Sequence, residues 1–353
     1  MTENKRLYYF DILRLISTTF VIVIHICVLN WFSLSPESFD WQVLNIFESF
    51  SQVAVPIFFM ISGALFLDES KNISIKDLYK KNILRLCIAF IFWSALYATA
   101  IGNTTSLPNL IMKCVKGHFH MWFIPAIIGC YMIVPFLREI VKSKKLLKYY
   151  LILAVIFTFT LNYIAPILAE SDTNYIAYSG NLLKTVLSNL LFRFTLGYSA
   201  YFVLGYFLSK AEFTKTMRRV IYLMGISAFI TTVCFSYMAS IHNQKPTDAY
   251  YNKTSLNMML ESTALFVFAK YNLSPANLKE KSAKRLLFAS KCTFGVYLIH
   301  PAFIKIIEKY LHVTAITVNP LIAVPAFTVA VFVLSFAVSA LLNKIPFIKK
   351  YIV

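Results

Sequence analysis

Residues 10–31 read FDILRLISTTFVIVIHICVLNW, a stretch with the length and polarity of a membrane span that also carries Asp11, Arg14 and His25. A charged side chain near the centre of such a helix costs roughly 2.5–3.5 kcal/mol on insertion scales, so its presence calls for a reason. Imidazole beside a carboxylate makes a general base or nucleophile that titrates near neutral pH. Guanidinium is a planar fork for phosphate or carboxylate. Positions 14 and 25 are eleven apart, which at 100° per residue is within about 20° of three full turns, so Arg14 and His25 share a face roughly 16 Å apart along the axis. Asp11 lies one turn before Arg14 and can pair with it, and Thr18 lies one turn after. Two readings fit this stripe: interhelical glue, or a polar face turned toward a wet cavity.

Other ionisable groups favour the cavity. Glu48 is followed by Ser51 and Gln52 on nearby turns, and a later span opens with His118-Phe119-His120-Met121-Trp122. Glu261, His300 and Arg193 lie within apolar segments as well. The topology set out below puts all of them in the outer half of the bilayer, where such a cluster could do acid–base chemistry. Their depth follows from the spans, but which of them touch does not. At the inner ends of the first and third spans stand Arg14, Lys80, Lys81 and Arg85. The lysines fit ordinary interfacial anchoring, while Arg85, one turn inside its span, fits a basic pocket for the phosphates of a cytosolic cofactor.

The elements that position these groups are read from composition. The 353 residues are 58% apolar and 14% charged, against about 25% charged for a soluble domain. Apolar runs recur at 12–30, 42–67, 83–101, 121–137, 149–169, 185–208, 220–241, 254–270, 286–304 and 319–342. They are continuous and lack the alternation of a closed barrel. The expected fold is therefore all-α, a polytopic membrane helix bundle of about ten transmembrane helices in one domain spanning 1–353, with no internal repeat. Of the 34 Lys and Arg, only Lys113, Lys116, Lys184, Lys245, Lys253, Lys305 and Lys309 fall in alternate, outer segments. Arg14, Arg85, Arg193 and Lys291 lie within or at the ends of spans, and all others fall in inner segments. By the positive-inside rule both termini are cytoplasmic. Topology accounts for the net charge of +18, so no nucleic-acid partner is expected, while inner loops can meet anionic lipid. Asp11 and Arg14 interrupt the first span and no small-residue cleavage site follows it, so it is not read as a signal peptide. Cys27, Cys87, Cys114, Cys130, Cys234 and Cys292 include no C-x-x-C pair, which indicates neither a metal site nor a disulfide framework. Pro56, Gly63, Pro125 and Pro135 are expected to bend or loosen their helices, and Trp31, Trp41, Tyr250 and Tyr251 to mark the bilayer boundary.

Five segments carry a resemblance. Asp11-Ile-Leu-Arg14 followed by His25 forms R-x₁₀-H, and VAVPIFFMISGALFL stands at 53–67. HMWFIPAIIGCYMIVPFL follows at 120–137, YFVLGYFL at 201–208 and SKCTFGVYLIHP at 290–301. In this order, over nearly the whole chain, the sequence resembles membrane acyltransferase family 3, the group of bacterial surface-polysaccharide O-acetyltransferases and related inner-membrane enzymes. The resemblance implies transfer of an acyl group, usually acetyl from cytosolic acetyl-CoA, to a hydroxyl of a glycan or lipid-linked glycan. It implies catalytic importance for His25 and Arg14. The family's R-x-x-R cluster before the third span, associated with the CoA end, is incomplete: Arg85 matches its second position, Asn82 occupies its first, and Lys81 stands one position away. Tyr297 and Ser290 match the late motif. Neither an H-x₄-D pair nor a G-x-S-x-G elbow is present.

The expectation is an O-acyltransferase of the bacterial cytoplasmic membrane. Acyl-CoA enters from inside with its phosphates at Arg14, Arg85 and Lys81, Tyr297 is counted with the donor-binding residues, and the pantetheine arm reaches toward His25. His25 serves as general base or transient acyl carrier. Glu48 or Glu261 would orient its imidazole, His120 or Arg193 would stabilise the oxyanion, and His300 is a further candidate base. The acceptor is an extracytoplasmic glycan or lipid-linked molecule; no metal is expected, and a homo-oligomer is allowed. The rival reading is a secondary transporter or glycan exporter, whose polar interior and broken helices would look alike. A third is a membrane module of a larger system, since similar domains are fused to serine racemases.

Overall fold

The computed structural model describes residues 7–102, 106–190, 197–273 and 278–353. Every regular element among them is helical, as apolar segments require where no water can satisfy an open backbone. The protein is a polytopic membrane helix bundle. Its elements are α1 (Tyr8–Trp31), α2 (Phe39–Ser51), α3 (Ala54–Phe66), α4 (Ile75–Ala100) and α5 (Leu107–Lys116). Next come α6 (Phe119–Met132), α7 (Val134–Lys142), α8 (Lys144–Ala169), α9 (Asn174–Asn189) and α10 (Gly197–Lys210). The chain continues through α11 (Lys215–His242), α12 (Leu256–Asn272), α13 (Glu280–Leu311), α14 (Pro320–Leu342) and α15 (Pro346–Tyr351).

Seven helical stretches among the described residues are long and apolar enough to cross a membrane, or eight if the bent pair α6–α7 is one span. The remaining two expected spans differ from a simple apolar run. The segment 185–208 falls on the end of α9 and on α10, with 191–196 outside the described residues. The segment 254–270 is α12, 17 residues long, about 25 Å at 1.5 Å per residue and short of the ~30 Å hydrocarbon core. α13, by contrast, runs for 32 residues, because its charged start at Glu280 continues the helix rather than breaking it.

Prolines place the breaks. Pro56 is the third residue of α3 and has no N–H to donate to the Gln52 carbonyl, so the run opens at Gln52–Val53 between α2 and α3. Pro135 sits in the first turn of α7 and cannot donate to Tyr131; α6 and α7 meet there at 55°.

α1 is the central element, packed against α2, α3, α12, α13 and α14. α3 and α10 approach closely, because glycine faces backbone on both sides. A Cβ on Gly63 would stand 2.0 Å from the Phe202 carbonyl oxygen, and one on Gly205 2.1 Å from that of Met60. Small residues allow this approach between membrane helices. Trp31, Trp41, Tyr250 and Tyr251, expected at the bilayer boundary, are instead buried in the bundle. The Trp31 and Trp41 rings pack 4.7 Å apart, and the Tyr251 hydroxyl donates to Asn45 Oδ1 at 2.5 Å. The tyrosine hydroxyls find partners there, whereas Trp31 Nε1 and Trp41 Nε1 are buried without one, so the indoles are held by ring packing.

Candidate active site

Pro301 sets the chemistry of its neighbour. It lies inside α13 and offers no N–H to the Tyr297 carbonyl four residues back. His300 Nδ1 takes that carbonyl at 2.7 Å, with the Val296 carbonyl at 3.3 Å. Both partners are acceptors, so Nδ1 carries the proton and Nε2 holds the lone pair. That Nε2 lies 3.1 Å from His25 Nδ1, which also bonds the Val21 carbonyl at 2.8 Å. His25 Nδ1 therefore faces two acceptors and must be its protonated nitrogen. The consequence is a fixed tautomer in which His25 Nε2 is the basic atom. His300 is fully buried behind His25, while His25 itself lines a cavity.

That cavity has a volume of about 220 Å³. Arg14 lines it at one level, and His25, His120, Trp122 and Lys253 at another, with Phe58, Phe123, Phe294 and Tyr297 between. The guanidinium and the imidazole of the α1 stripe thus open onto one space. His120 comes from a short 3₁₀ turn at the start of α6. Its ring lies 6.3 Å from that of His25 and 5.5 Å from that of His300. Tyr297 donates its hydroxyl to the His120 carbonyl at 2.6 Å. The ring of Tyr297 lines the cavity while its hydroxyl ties the 3₁₀ turn to α13. His118 stacks on Tyr97 at 4.3 Å and bonds His120 through their Nδ1 atoms at 2.8 Å. Burial, and behind it the charge of Lys305, pushes the His118 imidazole down to about 4, so it is neutral at pH 7. His120 Nε2 is buried without a hydrogen-bond partner.

At the opposite level Asp11 is buried and accepts two hydrogen bonds on Oδ1, from Arg14 Nη1 at 3.0 Å and Ser290 Oγ at 2.7 Å. The carboxylate fixes Arg14 against α13. Arg85 lies with Lys80, Lys81, Lys344, Lys349 and Lys350 around a basic cleft of about 670 Å³. Its Nη2 donates to the Val353 carbonyl at 2.6 Å, and its guanidinium stands 5.6 Å from the centre of the Phe294 ring. Phe294 also lines the histidine cavity. The cleft and the cavity are therefore neighbours across one side-chain contact. Lys81 is exposed and paired with Asp77 at 2.9 Å.

The two expected carboxylates do not join the histidines. Glu48 Oε1 accepts from Gln52 at 2.7 Å and its Oε2 is buried without a partner. Glu261 Oε1 accepts from Thr232 at 2.8 Å, in a network with Asn257 between α11 and α12. Neither bonds His25, whose imidazole partner is His300. Arg193 lies outside the described residues. Lys253 was not expected at the site. It sits in the loop before α12 with Nζ 5.8 Å from the centre of the Trp122 ring, and its carbonyl accepts from Tyr201 at 2.6 Å. Burial lowers its ammonium from the ordinary value, against the opposing pull of Glu48 and Asp248. Its signal in the sequence is that it is one of the few basic residues in segments expected to lie outside. No group of three or more His, Cys, Asp or Glu among the described residues is placed to hold a metal ion.

The sequence matches acyltransferase family 3, described as "Acyltransferase domain", over residues 7–343. The chain belongs to acyltransferase family 3. Its membership makes it a membrane acyltransferase, with the R-x₁₀-H pair, Arg14 and His25, on the wall of one cavity. An amino-acid racemase of Enterococcus faecalis is 26% identical over 348 residues, covering 92% of this chain and 45% of the racemase. This acyltransferase family 3 chain thus spans about half the length of that curated relative. No solved structure matches it.

Proposed function

We propose that the protein moves an acyl group, acetyl in the first instance, from acyl-CoA to a hydroxyl of an envelope glycan or lipid-linked acceptor, across the bacterial cytoplasmic membrane. The observation that carries this reading is the single cavity that takes in both Arg14 and His25 and abuts the basic cleft at Phe294 and Arg85. The ~16 Å between Arg14 and His25 along α1 suits a narrow arm ending in a thioester. The bias of Lys and Arg toward alternate segments supports a cytoplasmic cleft and cytoplasmic termini.

Nucleotide phosphates would sit at Arg85 and its lysine neighbours, with Arg14 further along the arm. His25 Nε2 takes the proton of the acceptor hydroxyl as its oxygen attacks the thioester carbon. His300 Nε2 accepts from the imidazolium's other N–H. The tetrahedral intermediate collapses with loss of the thiolate, and His25 returns the proton to sulfur, giving ester and free thiol. The Lys253 ammonium and an N–H of His120 are candidates to meet the developing oxyanion.

Thermal stabilisation of the purified protein by acetyl-CoA, with no effect of free acetate, is the expected outcome. Transfer of labelled acetyl to a cell-envelope extract, read by mass spectrometry, tests the reaction. Counterflow of an unmodified solute in liposomes without acyl transfer would instead establish the transporter reading, to which the break at Gln52–Val53 is also suited.

A further inference from the structure

A second cavity, of about 580 Å³, lies against the histidine cavity at its Lys253 level. Trp122 faces the first and Tyr198 the second, with ring centroids 5.8 Å apart. Lys253 lines the first, and Asn252 and Thr254 on either side of it line the second. The partition is thus two aromatic rings and one loop thick.

The wall of the second cavity is polar and mixed in character. Asn162 Nδ2 is engaged by the Thr158 carbonyl at 2.7 Å, so its amide oxygen is the end left to accept. Asn252 Oδ1 already accepts from the Thr254 backbone N–H and hydroxyl, both at 3.0 Å, so its amide N–H₂ is the end left to donate. Ser188 and the ammonium of Lys184 join them, and no acidic residue is present among the described lining. Lys184 and Lys253, two of the few basic residues in outer segments, therefore both border this pair of cavities.

We propose that the second cavity is the acceptor subsite, and that it takes a glycosyl unit bearing an acidic group, carboxylate or phosphate. The inference rests on the acyl-transfer reading above. A sugar ring presents hydroxyls that both donate and accept, which the Asn162 and Asn252 amides match. Tyr198, stacked on Phe59 at 4.5 Å, lines the cavity at the partition, and Lys184 supplies the counter-charge. The acceptor hydroxyl would then cross beside Trp122 and Lys253 to reach His25.

The test uses the purified protein in detergent with three probes at millimolar concentration: glucose, glucuronate and glucose 1-phosphate. Thermal stabilisation by glucuronate or glucose 1-phosphate and not by glucose is expected, and which acid acts separates a carboxylate from a phosphate source. Lys184→Gln and Asn162→Ala should each weaken that effect about 10-fold. Both should lower acyl transfer to an envelope extract to a similar degree while leaving stabilisation by acetyl-CoA unchanged, which also shows that they fold. No stabilisation of the unsubstituted protein by either acid, or wild-type transfer by both variants, overturns the proposal. Loss of the acetyl-CoA response in the unsubstituted protein would strike the acyl-transfer reading instead, so the two failures are distinct.

Discussion

His300 never meets the cavity, yet its replacement should slow transfer. In the resting protein His25 Nδ1–H is shared between the Val21 carbonyl at 2.8 Å and His300 Nε2 at 3.1 Å. A neutral bond of this kind contributes about 1 kcal/mol, and one from a charged donor about 1.5–3 kcal/mol. The bond therefore strengthens by ~0.5–2 kcal/mol when His25 takes up a proton. At about 1.4 kcal/mol per tenfold, that difference alone is ~2–30-fold in kcat. His300→Phe removes the acceptor and leaves the ring held by the Val21 carbonyl alone, so misorientation adds to the loss. The expected total is about 10–100-fold in kcat, with KM for acetyl-CoA unchanged because His300 does not line the donor's path. His300→Gln offers an amide oxygen to the same N–H and should recover most of the rate. Labelled-acetyl transfer in proteoliposomes measures both, with acetyl-CoA stabilisation as the check on folding. Wild-type kcat in His300→Phe, or equal impairment of the Phe and Gln variants, would refute the reasoning.

Other consequences are open to the same assays. Gly63→Ala and Gly205→Ala each drive a methyl group into the facing backbone of α10 or α3; overpacking of ~1–3 kcal/mol should lower the unfolding temperature in detergent, and an unshifted transition would contradict the close approach. Arg85→Ala should raise KM for acetyl-CoA about 10-fold, whereas Lys81→Ala, which removes an exposed pair with Asp77, should change it less than about 3-fold; the reverse order would relocate the phosphate site. Glu261→Gln should keep kcat within about 3-fold, since its carboxylate bonds Thr232 and not the histidines; a kcat near background would bring Glu261 into the reaction.

The stripe on α1 was legible because a single helix fixes spacing: Asp11, Arg14 and His25 fall on one face by the 100° rotation alone. The ion pair of Asp11 with Arg14 and the breaks near Pro56 and Pro135 follow from equally local rules. What crosses between helices was not legible. Glu48, Glu261 and His300 stand at similar depth in the sequence, and only packing decides that His300 reaches His25 while Glu261 turns to Thr232. The same holds for Lys253, which a short loop carries to the cavity, and for Trp31 and Trp41, whose burial depends on each other. Apolar run and helix length part company at α12, which is 17 residues long, because hydropathy measures apolar content and not the ends of a helix.

The most direct measurement is single-turnover transfer from labelled acetyl-CoA to an envelope extract by the purified His25→Ala protein beside the unsubstituted chain. With imidazole gone, transfer should fall to background while acetyl-CoA still raises the unfolding temperature as before. Undiminished labelling by His25→Ala would contradict the account.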